Sequence, residues 1–272
     1  MNRSTLPMRP LGDTGIEVSC LGLGTVKIGR NLGVKYPQGF SLPDDASVRN
    51  ILALCKDAGM NLIDTAPAYG SSEERLGQLL EHRHDWVICS KVGEEFQNGE
   101  SSFDFSPAHV RHSLERSLKL LRTDYLDLVL VHSDGNDEDI IRNSDCFDAL
   151  IRAKEAGLIR AFGMSTKTVA GGLLALEQAD VVMVTLNPTA TDDAAVVAEA
   201  HARHKGVLIK KVLNSGHVVT DADGAAIDPV RSSLEFVFSH PGVSSVIIGS
   251  ITPGHLLHNV GCAVEVAGAP QS

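Results

Sequence analysis

Short apolar, β-branched runs alternate along nearly the whole chain with longer segments in which apolar residues recur every three to four positions. The runs are Cys20 to Thr25, Asn61 to Thr65, Trp86 to Val92, Leu126 to His132, Ala161 to Ser165, Val181 to Asn187, Val207 to Leu213 and Ser244 to Ser250. The helix-period segments are Asp44 to Ala58, Ser72 to His82, Ser106 to Leu121, Ser144 to Ala156, Thr168 to Gln178, Thr191 to His204, Pro229 to Ser239 and Thr252 to Val260. Ser106-Pro107 and Thr252-Pro253 place a proline at the first helical position, and Gly59 and Gly157 stand where helices stop. Ahead of the first run, Met8 to Leu11 and Ile16 to Ser19 flank a Gly12-Asp13-Thr14-Gly15 turn, a hairpin pattern. Eight strand–helix units without a Pro/Gly/Ser linker predict one α/β domain over residues 1–272. A (β/α)8 TIM barrel whose N-terminal mouth is plugged by the hairpin is the economical closure, with an open doubly wound sheet as the alternative.

With 43% hydrophobic residues the chain can bury a full core, and its composition excludes a disordered or collagenous class. The net charge of -10, with no local run of Lys or Arg, argues against nucleic acid as a partner. No stretch approaches the roughly 18 apolar residues of a membrane span, and Met1 to Gly12 carries no apolar export signal, so a soluble cytoplasmic protein is expected. Five widely spaced cysteines fit free thiols in a reducing compartment. The pairs His82/His84, His109/His112, His201/His204 and His255/His258 have metal-compatible spacing but no evident third ligand, and read as solvated helix faces; no metal is expected. Asp134 to Asp139 reads as a solvated loop and Trp86 as packing, while Phe96, Phe103 and Phe105 either line a pocket or pack a loop.

Strands buried on both faces should be apolar throughout, so polar residues at their C-terminal ends need a reason, and in a barrel that end is the active-site rim. Asp64 and Tyr69 follow the second run, Lys91 ends the third and His132 ends the fourth. Each has a structural reading alone: a cap, a loop aromatic, a snorkelling charge, a rim histidine. Together they form an acid poised to protonate an oxyanion. An ammonium at Lys91 favours the Tyr69 phenolate, Asp64 partners that ammonium, and a neutral His132 donates to a substrate carbonyl oxygen.

These residues make the sequence resemble an aldo-keto reductase over nearly its full length. The resemblance rests on Leu21-Gly-Leu-Gly-Thr25, Asp64-Thr-Ala-Pro-Ala-Tyr-Gly70, Ser90-Lys91, Asp127-Leu-Val-Leu-Val-His132, Phe162-Gly-Met-Ser165 and Val246-Ile-Ile-Gly-Ser250, in family order. It implies a nicotinamide cofactor extended across the rim, with hydride passed between its C4 and a carbonyl carbon. Tyr69 is implied as general acid/base, Lys91 and Asp64 as its tuning pair, and His132 as the orienting donor. It further implies cofactor contacts at Gly24, Thr25, Val26, Lys27 and Asp64, at Ser165 and Thr166 for the carboxamide, and at Asn187. Met183 stands where the family has Gln, and Lys210-Lys211-Val212-Leu213 replaces Tyr-Ser-Pro-Leu, removing the aromatic that stacks on the ring. Lys210 and Lys211 are therefore expected at a cofactor phosphate or in solvent, with Leu213 beside them. Gly249, Ser250, Thr252, His255, His258 and Asn259 match the segment around the adenosine 2′-phosphate, with Gly249 and His255 in place of a cationic clamp. NADP(H) is expected over NAD(H), and a small aldehyde, ketone or sugar as substrate. A cofactor-binding sensor or regulatory subunit with little turnover is the competing reading, and a different barrel enzyme, a lyase or isomerase, is another.

Overall fold

The computed structural model describes residues 5–34, 39–213 and 228–268. Residues 1–4, 35–38, 214–227 and 269–272, all within the single domain expected above, lie outside the described residues. Strands β1 (Met8–Pro10) and β2 (Glu17–Ser19) pair as the antiparallel hairpin. Eight parallel strands follow and close on themselves: β3 (Leu21–Gly24), β4 (Leu62–Asp64), β5 (Val87–Val92), β8 (Leu126–His132), β9 (Ile159–Ser165), β10 (Val181–Thr185), β11 (Gly206–Lys210) and β12 (Ser245–Ile248). The helices are α1 (Val26–Gly29), α2 (Asp45–Asp57), α3 (Ser72–Leu79), α4 (Pro107–Leu121), α5 (Asp137–Asn143), α6 (Cys146–Glu155), α7 (Val169–Ala175), α8 (Ala194–Ala202), α9 (Pro229–Phe238) and α10 (Pro253–Ala267). The chain is thus a (β/α)8 barrel, and the open-sheet alternative falls away because β12, the last strand, pairs with β3, the first of the eight.

The strands sort their side chains by parity. Leu62, Val87, Cys89, Leu128, Leu130, Ala161, Val181, Met183 and Leu208 fill the barrel interior, and Leu11, Ile16 and Val18 of the hairpin plug its lower end. Ile63, Ile88, Val129, Val131, Phe162, Val207 and Val246 face the helices instead. The next inward residues toward the C-terminal ends, on the same parity, are Asp64, Lys91, His132, Ser165 and Lys210. A polar layer therefore lies directly on an apolar one.

Two segments differ from the sequence expectation. The loop after β5 is an antiparallel hairpin, β6 (Glu94–Gln97) and β7 (Glu100–Phe103), turned at Asn98 and Gly99, both at positive φ. The acidic stretch is not a solvated loop. Asp137 is buried at the start of α5, where one carboxylate oxygen takes the backbone N–H of Lys167 (2.9 Å) and of Thr168 (2.7 Å), and the other takes the Ser133 hydroxyl. Those bonds hold the chain leaving β9, and so help fix the polar layer above it. All five cysteines are free and buried. Among the described residues no helix is long and apolar enough to cross a membrane.

Candidate active site

Asp64, Lys91 and Tyr69 meet at the rim. Lys91 Nζ donates to Asp64 Oδ1 at 2.5 Å and to the Thr65 carbonyl at 2.9 Å, and lies 4.7 Å from the centre of the Tyr69 ring. Tyr69 sits on a short 3-10 turn, Pro67–Tyr69, with its hydroxyl 3.5 Å from Asp64 Oδ2. Gly70, at positive φ, closes that turn beneath the carbonyl of Gly29, which leaves no room for a Cβ. Burial pulls the Lys91 ammonium down, but Asp64 and Tyr69 beside it outweigh burial and hold its pKa above the ordinary lysine value. Tyr69 is moved the other way from the sequence expectation. Burial first, then Asp64, raises its pKa, and the lowering contributed by Lys91 does not offset them. The resting hydroxyl is a protonated acid, not a phenolate.

His132 crosses the Tyr69 ring edge-on, with centroids 6.2 Å apart at 86°. Its Nδ1 lies 2.8 Å from Glu94 Oε2, an ion pair only when the ring is protonated and not aligned as a hydrogen bond. Glu94 is itself held by Ser101 Oγ at 2.7 Å and by Arg30 at 3.8 Å. Arg30 in turn binds the Ala68 carbonyl at 3.0 Å and stacks on Phe96 at 3.4 Å, so Phe96 packs a strut at the mouth. Phe103 and Phe105 stack on each other, with Phe105 covering Gly93. Burial, with Lys91 and Lys210 assisting, lowers the His132 pKa below the ordinary value despite Glu94, which favours the neutral ring expected from the sequence. Glu94→Gln is expected to lower the His132 titration midpoint further, since removing an adjacent anion destabilises the imidazolium. NMR of the imidazole resonances across pH reads this directly, and an unshifted midpoint would remove Glu94 from the site.

The remaining rim positions are unevenly placed for the contacts expected of them. Lys210 does not reach outward. As the inward residue ending β11 it donates to Ser165 Oγ at 2.9 Å and to the Thr166 carbonyl at 2.6 Å, at the centre of the mouth. Lys210 is partly buried there and turned toward the β9 end, with no phosphate-facing geometry among these contacts. Burial, then neighbouring Lys211, pushes its pKa down to about 7 against the pull of Asp193 and Asp137. Lys211 is exposed, and Leu213 is partly buried against the core. Asn187 is buried and tied to the loop: its amide donates to the Lys211 carbonyl and accepts from Thr189 N and Oγ1. Thr25 Oγ1 is bound to the Asp64 carbonyl and to Ser72. Gly24 ends β3, Val26 and Lys27 open α1, and Lys27 approaches the Phe40 ring at 5.5 Å. Gly249 follows β12, Ser250 and Thr252 hydrogen-bond one another, and His255 is exposed on the first turn of α10, with Asn259 buried one turn on. His258 turns to Asp228 instead, at 2.8 Å.

The constellation is that of a proton donor beside an electrostatic clamp, and known proteins carry the same arrangement of chain. A crystal structure from Pseudomonas aeruginosa assigned to the aldo-keto reductases is 52% identical, covers 98% of both chains and superposes with a TM-score of 0.88. The oxidoreductase YqkF of Bacillus subtilis, whose function is uncharacterized, is 25% identical over 94% of this chain and 90% of its own length. The L-galactose dehydrogenase of Arabidopsis thaliana is 34% identical over 59% of this chain, a match spanning 48% of that enzyme. The sequence pattern of the Aldo/keto reductase family matches residues 20–209. With the closed barrel and the rim layer, this places the chain in the aldo/keto reductase family of nicotinamide-dependent oxidoreductases.

Proposed function

We propose that the protein interconverts a small aldehyde, ketone or sugar carbonyl and its alcohol, with Tyr69 transferring the proton at the substrate oxygen and NADP(H) as cofactor in preference to NAD(H). The buried contact of Asp64, Lys91 and Tyr69 beside His132 carries this reading. When bound, the nicotinamide supplies or accepts the hydride.

The residues present fit such a cofactor. Thr166 Oγ1 is buried without a partner beside Ser165, and Asn187 retains one amide hydrogen, so the β9 and β10 ends suit a carboxamide. The first turn of α10 has no side-chain cap from Thr252, which leaves backbone N–H groups for a phosphate, with Ser250 alongside. Gly24, Thr25, Val26 and Lys27 line the approach from β3 to α1, with Gly249, His255 and Asn259 on the far side.

Tyr69 is protonated at rest, so it serves reduction directly, as acid. Oxidation of an alcohol needs the phenolate, whose charge the Lys91 ammonium stabilises. Lys91 is itself fixed by Asp64 and Thr65, so this charge costs no reorganisation when the substrate oxygen turns negative. His132, edge-on to the Tyr69 ring, orients that oxygen by a hydrogen bond.

The deciding measurement is turnover of NADPH and NADH with a panel of aldehydes, ketones and aldoses, paired with direct titration of each cofactor. Turnover of at least one class, with NADPH preferred, is expected. Cofactor binding without turnover on any carbonyl would replace the proposal with the sensor reading.

A further inference from the structure

Outside the mouth, one group of side chains among the described residues brings together three metal-ligating types: Asp228, His258 and Cys262. His258 and Cys262 stand one turn apart on α10, so their side chains share a face. Asp228 precedes α9, which packs against α10. We propose that these three residues form a binding site for one borderline divalent transition ion of the zinc class, clipping the start of α9 to α10.

The geometry argues for an ion. Asp228 Oδ2 lies 2.8 Å from His258 Nε2 and 3.3 Å from Cys262 Sγ, and the sulfur lies 3.7 Å from the same nitrogen. Around tetrahedral zinc, with bonds of about 2.0 Å to N or O and about 2.3 Å to S, ligand atoms are separated by roughly 3.3 to 3.6 Å. The two edges to sulfur already lie close to that range. The third opens by about half an ångström once an ion replaces the His–Asp contact. A set of one thiolate, one imidazole and one carboxylate selects zinc or cobalt over magnesium or calcium, which take oxygen alone. Thiolate and carboxylate together neutralise the dication.

The carboxylate is also set for the task. Its Oδ1 accepts the backbone N–H of Val230 at 3.0 Å as the cap of α9, which leaves Oδ2 aimed at the cluster. Cys262 is buried and His258 half exposed, so the fourth position opens toward solvent on the His258 side. The nearby cation Arg231 is already engaged by Glu235 at 3.0 Å and Glu265 at 2.6 Å. His258 is exposed, as its place on a solvated helix face implies, and it also contacts Asp228. The Asp228 contact leaves no local pattern in the sequence because that residue lies thirty residues upstream, ahead of a different helix.

The test uses tag-free, chelator-treated, reduced full-length protein titrated with Co2+. Saturation at one equivalent is expected, with the near-ultraviolet thiolate-to-cobalt charge-transfer band and the strong visible bands of a tetrahedral ion, both displaced by Zn2+. Cys262→Ser should abolish the charge-transfer band, and His258→Ala should weaken affinity tenfold or more. Asp228→Asn should weaken it comparably while leaving the protein folded, because Asn caps a helix as well as Asp. Absence of saturable binding, or a charge-transfer band that survives in Cys262→Ser, would overturn the site.

Discussion

Tyr69→Phe is expected to slow carbonyl reduction by about 10²- to 10⁴-fold, the range for losing a positioned general acid. Only the hydroxyl is removed. The ring keeps its place over Lys91 Nζ at 4.7 Å and against His132 at 6.2 Å, so cofactor affinity should change by less than about threefold, under ~0.7 kcal/mol. Steady-state rates and a cofactor titration on the same preparation separate the two effects, and a variant retaining activity within about threefold would remove Tyr69 as the acid. Lys91→Met is a weaker probe of the same idea because Asp64 is only 3% exposed. Stripping its partner leaves an uncompensated buried carboxylate, a cost of about 3 to 5 kcal/mol, enough to mix instability with lost chemistry. The double change Lys91→Met with Asp64→Asn relieves that charge, and in it the loss of rate should persist although stability recovers.

What the sequence disclosed and what it withheld follow from the same rule of alternation. The barrel was legible because eight β-branched runs separated by helix-period segments admit few closures, and the tetrad because charged residues at strand ends have no place in an apolar core. Lys210 was equally open to that reasoning: Leu208 is inward, so the residue two positions on is inward as well. Expecting it at a cofactor phosphate or in solvent passes over that parity. Glu94 was obscured for a different reason. It gains its role only when β6 and β7 fold back over the mouth, and the signal for that hairpin was the Asn98-Gly99 pair, a turn sequence in a stretch taken for loop. Asp137 and Asp228 act across long separations in sequence, on Thr168 and on His258 respectively, and no local pattern reports such contacts.

Lys210→Met should shift the balance between oxidised and reduced cofactor, an expectation that rests on the proposed nicotinamide site at Ser165. The oxidised ring carries a positive charge and the reduced ring none. A protonated Lys210, hydrogen-bonded to Ser165 Oγ at 2.9 Å, therefore disfavours the oxidised form alone. Two like charges a few ångströms apart under an effective dielectric of about 20 repel by several kcal/mol, so even partial protonation makes a tenfold difference in affinity attainable. Burial and Lys211, with Lys91 and His132 also facing the amine, oppose its charge, while Asp193 and Asp137 support it, and the balance sets its pKa at about 7. The ratio of dissociation constants, oxidised over reduced, should then be about tenfold larger at pH 6 than at pH 8 in the native protein, and nearly independent of pH in Lys210→Met. Stability supplies a second readout with a fixed sign. Between about pH 7 and the ordinary lysine value of 10.5 the unfolded chain holds a proton that folded Lys210 has lost, so this group's contribution to stability rises with pH across that window. Below pH 7 both states are protonated and the full cost of the buried ammonium is present, so Lys210→Met should raise the melting temperature most on the acid side. A ratio that stays flat with pH in the native protein, while both cofactor forms bind, would show that Lys210 does not face the ring and would leave the cofactor site itself standing.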